Sequence, residues 1–369
     1  MKLVVLKNNL KEGLSAVERA SSENANLPIL KNVLIKTFNN KIQLSATNLE
    51  LAITKYISGK IIEEGSITVP LSALLSIVHN TTNERISLEV EQNTLLFKTD
   101  NYDATIQGLP EEEFPIIPKL ENTSTYLDLE SNLLKESILK IINSIQISEI
   151  RPEISGVLLD FQVTNFKIVG TDSFRLSEKT VTESNFKSNF QRGFRIIIPL
   201  KTMQELLRIV SDGPVRMYID PNQILFKNDE LEVISRLIDG TYPDYEQIIP
   251  KSLETELSLE RDHLVNAVKL VSTFSSKTND LKISFNEGKK TLEVYSANQY
   301  LGENKYLIPV KSKGKSFNVS FNWKYLLDGL KNFESKEIVL GVNGDNRPSV
   351  LKNSADMSYF YILMPIKAS

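Results

Sequence analysis

The chain runs to 369 residues, 41% of them hydrophobic and 24% charged, with a formal net charge of -3; these are soluble-protein proportions, with apolar material for two to three domains. No apolar run approaches the roughly 18 residues that a membrane span needs, and 0 Cys exclude disulfides, a thiolate nucleophile and a Cys-ligated metal. The N-terminal stretch MKLVVLKNNLKEG is too short an apolar patch for a signal peptide, so a cytoplasmic location is expected, and the net charge rules out a uniformly basic surface.

In chain order, residues 9–20 read as a helix, because Leu10, Leu14 and Val17 recur at i, i+4, i+7 on one face. Strands are predicted at 33–37 and 42–46, and a second helix follows ITVP with Leu71, Leu74, Leu75 and Val78 as its stripe. Another strand at 86–90 precedes LFKTD (96–100) and the acidic connector PEEEFPIIP (110–118).

The order then repeats. A helix at 131–145 carries Leu134, Ile138 and Ile141, and strands are predicted at 156–161 and 215–219. The turn GTDSFRLS (170–177) lies between them, and a helix after IIIP, over 199–211, carries Met203, Leu206, Leu207 and Val210. LFKND (225–229) and the connector DGTYPDYEQIIP (239–250) follow.

A third copy begins with a helix at 262–272 (Leu264, Val268, Val271) and strands at 281–285 and 292–296. A helix after FNVS carries Trp323, Leu326, Leu327 and Leu330, with Ser320 or Asn322 as its cap. VLKNS (350–354) and YFYILMPIK (359–367) close the chain. Leu10, Leu134 and Leu264 stand 124 and 130 residues apart, and Leu71, Met203 and Trp323 stand 132 and 120 apart. Several anchors in the same order at similar spacing mean triplication. The fold class is α+β: three β-rich domains of two helices each, at 1–121, 122–252 and 253–369.

Three helices are slightly basic within an acidic chain: Lys135 and Lys140 lie on the first of the second copy, Lys201 and Arg208 on its second, and Lys324 and Lys331 on the last helix. Solvated helix faces explain this as readily as a surface for phosphates does. No arginine pattern resembles a recognition helix that reads base edges. Asp172 with Arg175 reads first as a turn with a local ion pair, and Asp239 with Asp244 as turn chemistry. His79 and His263 lack ligand spacing, and no Walker A, GxGxxG or GxSxG pattern occurs. No metal, cofactor or catalytic residue is therefore expected.

The triplication, LPIL (27–30), TDSFRLS (171–177), DGTYPDY (239–245) and MPIK (364–367) together resemble the bacterial DNA polymerase III β subunit family, the sliding clamps, over the whole chain. The resemblance implies a DNA clamp fold: a head-to-tail homodimeric ring with helices lining the hole. It further implies sequence-independent encirclement of duplex DNA, loading by a clamp loader, and no catalysis. The replicative polymerase α subunit and other proteins would dock clamp-motif peptides in a cleft.

Matched position by position, the resemblance gives the cleft Ile154, Thr171, Ser173, Phe174, Arg175 and Leu176, then Pro243, Gln247 and Ile248, and finally Ser349, Val350, Ile362, Leu363, Met364, Pro365 and Ile366. An aliphatic, Met-containing cleft suits Leu and Phe anchors. Ser173, Phe174 and Gln247 replace glycine, histidine and a basic residue common in the family, so a more apolar, less cationic pocket is expected. Arg151 and Lys201 match basic family positions, while Asn24 and Ser72 stand where some relatives carry DNA-contacting arginines. Ala104 and Ile106 would meet Ser272, Thr273 and Phe274 at the subunit contact. The competing readings are a carboxylate-dependent nuclease or glycosidase, against which no convergent acidic cluster is seen, and a monomeric β-repeat module that uses the 170–177 pocket without DNA.

Overall fold

A computed structural model describes residues 1–22 and 27–366; Asn24 and Lys367 lie outside the described residues. The first copy runs β1 (Lys2–Leu6), α1 (Lys7–Glu18), β2 (Asn32–Phe38), β3 (Lys41–Thr47), β4 (Leu51–Ile57), β5 (Gly59–Glu63), β6 (Gly65–Pro70), α2 (Leu71–Asn80), β7 (Arg85–Glu91), β8 (Thr94–Lys98) and β9 (Asp103–Gln107). The second runs β10 (Leu127–Glu130), α3 (Ser131–Ile142), β11 (Gly156–Phe161), β12 (Asn165–Thr171), β13 (Arg175–Thr182), β14 (Phe186–Ser188), β15 (Phe194–Pro199), α4 (Leu200–Ile209), β16 (Pro214–Asp220), β17 (Gln223–Lys227) and β18 (Leu231–Arg236). The third runs β19 (Thr255–Glu260), α5 (Arg261–Ser272), β20 (Asp280–Phe285), β21 (Thr291–Asn298), β22 (Gly302–Pro309), β23 (Lys311–Gly314), β24 (Phe317–Asn322), α6 (Trp323–Lys331), β25 (Glu337–Val342), β26 (Ser349–Lys352) and β27 (Tyr359–Leu363). The element order is the same in all three copies.

The helices form where the apolar stripes fall. Leu10, Leu14 and Val17 of α1, Leu71, Leu74, Leu75 and Val78 of α2, and Leu264, Val268 and Val271 of α5 are all buried. Several expected helix ends shift by one to three residues, as at α1, which runs Lys7–Glu18 and not 9–20, and two differences have a visible cause. The helix expected over 131–145 stops at Ile142, and the next residues tighten into i→i+3 bonds (Ser144 N to Ile141 O at 2.9 Å, Ile145 N to Ile142 O at 3.3 Å). Ser320 belongs to β24, paired opposite Lys282, so Asn322 alone caps α6, its side chain accepting from Lys324 N at 3.0 Å.

The chain forms two compact units: Met1–Lys135 with Ser184–Gln191 and Lys201–Leu237, and Glu136–Glu183 with Arg192–Leu200 and Ile238–Ser369. The first unit holds a five-stranded sheet, β5-β1-β7-β8-β9, and a nine-stranded one, β14-β10-β16-β17-β18-β4-β3-β2-β6. The second holds a nine-stranded sheet, β15-β11-β12-β13-β27-β26-β25-β19-β23, and a four-stranded one, β22-β21-β20-β24. Each nine-stranded sheet joins strands of two copies. In one, β18 of the second copy pairs with β4 of the first, Ile234 opposite Ala52. In the other, β27 of the third copy pairs with β13 of the second, Ile362 opposite Leu176.

Candidate functional site

The second unit gathers the residues expected to form the cleft. Its centre is the turn between β12 and β13. The Thr171 hydroxyl donates to the Arg175 carbonyl at 2.7 Å and accepts from Ser173 N at 3.1 Å. Asp172 Oδ1 accepts from the N–H groups of Phe174 (2.9 Å) and Arg175 (3.0 Å). These side chains replace the missing backbone partners of a tight turn, as Asx and Thr side chains do. The geometry puts Ser173 at φ +77°, a left-handed conformation unusual for a residue with a Cβ, and leaves Phe174 standing outward, 61% exposed.

Arg175 turns the other way. Its Nε donates to Asp172 Oδ2 at 2.9 Å and its Nη1 to Asp328 Oδ2 on α6 at 2.7 Å, and the guanidinium lies 4.2 Å from the Tyr325 ring centroid. Burial lowers its pKa, but Tyr361, Asp328 and Asp172 outweigh burial and hold it above the ordinary value. With its side chain 11% exposed, Arg175 fastens the turn to α6 and is not a free cation for a ligand.

Strand register lines up the rest. Arg175, Leu363 and Ser349 lie opposite one another across β13, β27 and β26, and Leu176, Ile362 and Val350 form the next row. Ile154, Leu176, Val350 and Ile362 share one buried cluster with Leu158, Val169, Ile197, Tyr242 and Tyr245. They are core, forming the floor on which a surface is built. Tyr361, Ile362 and Leu363 are all at most 2% exposed, so β27 is buried on both of its faces. Beyond it, Met364 N donates to the Phe174 carbonyl at 2.8 Å and Ile366 N to the Ser320 carbonyl at 2.7 Å, leaving Met364, Pro365 and Ile366 half-buried.

The connector is pinned by two tyrosines whose role the sequence reading missed. Tyr242 and Tyr245 are buried and meet edge to face at 6.3 Å. Burial, joined at Tyr245 by the charge of Glu178, pushes both hydroxyls above their ordinary values. Their spacing within DGTYPDY was the available signal. Between and after them, Pro243 is half-buried, Gln247 is exposed and bonded to Asp244 at 2.8 Å, and Ile248 is 41% exposed. Glu178 sits beneath, 4% exposed. Burial raises its carboxyl above the ordinary range, and Tyr245, Lys167 and Thr180 only partly oppose this.

The basic residues divide. Arg151 donates to Ser173 Oγ at 2.9 Å and to Glu153 at 3.1 Å, which sets it beside the Phe174 turn. Lys201, Lys324 and Lys331 are exposed, Lys331 with Asp328 at 3.7 Å. Arg208 pairs with Glu205 at 3.3 Å, and Lys135 is half-buried. Lys140 is drawn in, 2.5 Å from Glu136 and over the Tyr359 ring, with its side chain 12% exposed. Ala104 and Ile106 lie on β9, the open edge of the five-stranded sheet. Ser272 ends α5 and Thr273 and Phe274 follow it; the helix is tied to β22 by Asn304 Nδ2 donating to the Leu270 carbonyl at 3.0 Å. Among the described residues no cluster of three or more His, Asp or Glu could hold a metal, and no helix is long and apolar enough to cross a membrane. Phe174 and Ile248 are thus exposed, and Met364 and Pro365 half-buried.

Comparison with known proteins agrees along the whole chain. Models of the DNA polymerase III beta subunit match residues 1–118 (N-terminal domain), 128–244 (central domain) and 246–367 (C-terminal domain). The beta sliding clamp of Chlamydia pneumoniae is 26% identical, with 100% of this chain and 99% of the relative aligned. That of Staphylococcus aureus is 27% identical over 95% of this chain and 94% of the relative. The crystal structure of the Bacillus subtilis DNA polymerase sliding clamp superposes with a TM-score of 0.95 at 24% identity, covering 100% of both chains. With all three of its domain models matched in order, this chain belongs to the DNA polymerase III beta subunit family, the beta sliding clamps.

Proposed function

We propose that two copies of this chain close head to tail into a ring around duplex DNA, holding the replicative polymerase through the Phe174 pocket and catalysing nothing themselves. Each chain then contributes three domains, at 1–121, 122–252 and 253–369, and a clamp loader opens and places the ring. The location is cytoplasmic, with no membrane and no cofactor involved.

The observation that carries this reading is a pair of unpaired strand edges. β18 and β27, the last strands of the second and third copies, pair with β4 and β13. Their counterpart β9 and the counterpart of β4 and β13, β22, are both open. An open edge is a template for pairing with another chain, and the repeat sets the register. Tyr102 falls opposite Tyr306 of a second copy, Asp103 opposite Lys305, Ala104 opposite Asn304 and Thr105 opposite Glu303. Opposite charges at Asp103 and Lys305 favour that register. Beside β9, a cavity of about 430 Å³ lined by Ile77, Asn80, Thr81 and Tyr102 receives the end of α5, where Leu270 is 57% exposed next to Ser272, Thr273 and Phe274.

In this ring Lys201, Lys324, Lys331, Arg208 and Lys135 face phosphates, a sparse and sequence-independent attraction suited to sliding. Lys140 contributes least because its charge is spent on Glu136, and Arg151 divides between DNA and the pocket. Exposed Phe174 and Ile248, with half-buried Met364, receive the apolar anchors of clamp-motif peptides from the polymerase α subunit and other partners. The deciding experiment loads the protein onto circular DNA and then linearises the DNA. Encirclement requires retention on the circle and escape from the linear form. Equal escape from both removes the ring.

A further inference from the structure

The two junctions inside the chain share a polar device that the open edges lack. In the first, Lys55 on β4 lies opposite Leu44 of β3 and is 4% exposed. Its Nζ is 3.4 Å from Glu12 on α1 and 2.9 Å from Glu230, the residue before β18. In the second, Lys179 on β13 lies opposite Ile168 of β12 and is 7% exposed. Its Nζ is 3.7 Å from Glu136 on α3 and donates to Ser358 Oγ, just before β27, at 2.7 Å. Glu12 and Glu136 each stand two positions after the first leucine of the helix stripe.

At the open edges all three positions change together. The residue of β22 opposite Val294 of β21 is Tyr306. Two positions after Leu264 on α5 stands Asn266. The residue matching Glu230 is Asn101, since Phe97 pairs with Ala104 as Phe226 pairs with Val233. A buried lysine needs a carboxylate, and leaving it without one is costly, so such a set discriminates between partners more than it stabilises.

We propose that these side chains form a pairing code: lysine with a helix glutamate selects the chain's own β18 and β27, while Tyr306 with Asn266 and Asn101 reserves β22 for the β9 edge of a second copy. The code keeps three near-identical edges from exchanging partners, and it leaves the seam between copies free of any buried ion pair. It rests on the dimer proposed above.

The test is sedimentation equilibrium of Tyr306→Lys alone and of the triple variant Tyr306→Lys, Asn266→Glu, Asn101→Glu. The single change should raise the dimer Kd by about tenfold or more, and the triple should return it to within about threefold of wild type. An unchanged Kd in the single variant, or no recovery in the triple, overturns the code. A wild type that stays monomeric overturns the dimer itself, and that outcome is distinct from either. Lys55→Tyr reads the internal half within one chain: amide exchange at Ile53 and Val233 should quicken, and unchanged protection there overturns it.

Discussion

Arg175 and Asp328 join through a 2.7 Å hydrogen bond between Nη1 and Oδ2, and this contact ties the Phe174 turn to helix α6. The guanidinium also holds Asp172 at 2.9 Å, so both carboxylates and the ring of Tyr325 share a single mostly buried cation. Asp172→Ala removes the side-chain acceptor of two backbone N–H groups and leaves that cation with Asp328 as its one carboxylate. It should cost about 1–3 kcal/mol in chemical denaturation, while Asp172→Asn, which keeps an acceptor for the Phe174 and Arg175 N–H groups, should lose markedly less. Equal losses would mean that the charge plays no part.

Phe174 is 61% exposed and contributes little to folding. Phe174→Ala should therefore leave the thermal midpoint unchanged while weakening a clamp-motif peptide by about 2 kcal/mol, roughly thirtyfold, as truncating an aromatic anchor does. Fluorescence anisotropy with a labelled peptide measures it. Leu176→Ala is unsuitable for that purpose, because Leu176 is 0% exposed and its loss would unsettle the core.

Gly329 in α6 has no room for a side chain, since a Cβ there would lie 2.5 Å from the Tyr361 ring. Alanine gains about 0.5–1 kcal/mol of helix propensity. Overpacking against a fully buried ring costs about 1–3 kcal/mol. Packing wins, and Gly329→Ala should lower the unfolding free energy by about 1–2 kcal/mol in urea titration. A stabilised variant would show that Tyr361 can move aside.

Glu178 makes stability depend on pH. Its folded pKa lies above the ordinary 4.5 because burial disfavours the carboxylate, so the folded state binds this proton more tightly than the unfolded chain. Protonation stabilises the fold, and that contribution is full below about 4.5 and is lost as pH rises through the raised folded value. Glu178→Gln should thus melt higher than wild type at pH 7, and the gap should close below pH 4.5. A gap that is the same at both pH values would exclude titration of this group.

For DNA, Lys201→Ala with Lys324→Ala should flatten the salt dependence of binding by about 0.9 in log–log slope for each phosphate no longer neutralised. Lys140→Ala should leave the slope unchanged, because its ammonium already serves Glu136 and Tyr359. A large effect at Lys140 alone would reverse this ranking.

The amino-acid sequence by itself determined the threefold repeat, its two helices per copy and several of the strands between them. Helix stripes such as Leu10, Leu14 and Val17, and motifs such as LFKTD and LFKND, are local patterns of period and turn chemistry. It also singled out GTDSFRLS, because Thr, Asp and a turn residue before an extended run have a local geometric meaning. Only the tertiary structure decided which way each side chain of that run faces. Phe174 points out and Arg175 points in because Asp328, Tyr325 and Tyr361 come from strands and helices about 150 residues or more away. The same holds for Lys140 and Lys201, alike as helix lysines in the sequence. One is neutralised by Glu136 beside a tyrosine of β27 and the other is left in water, and charge burial is settled by long-range packing.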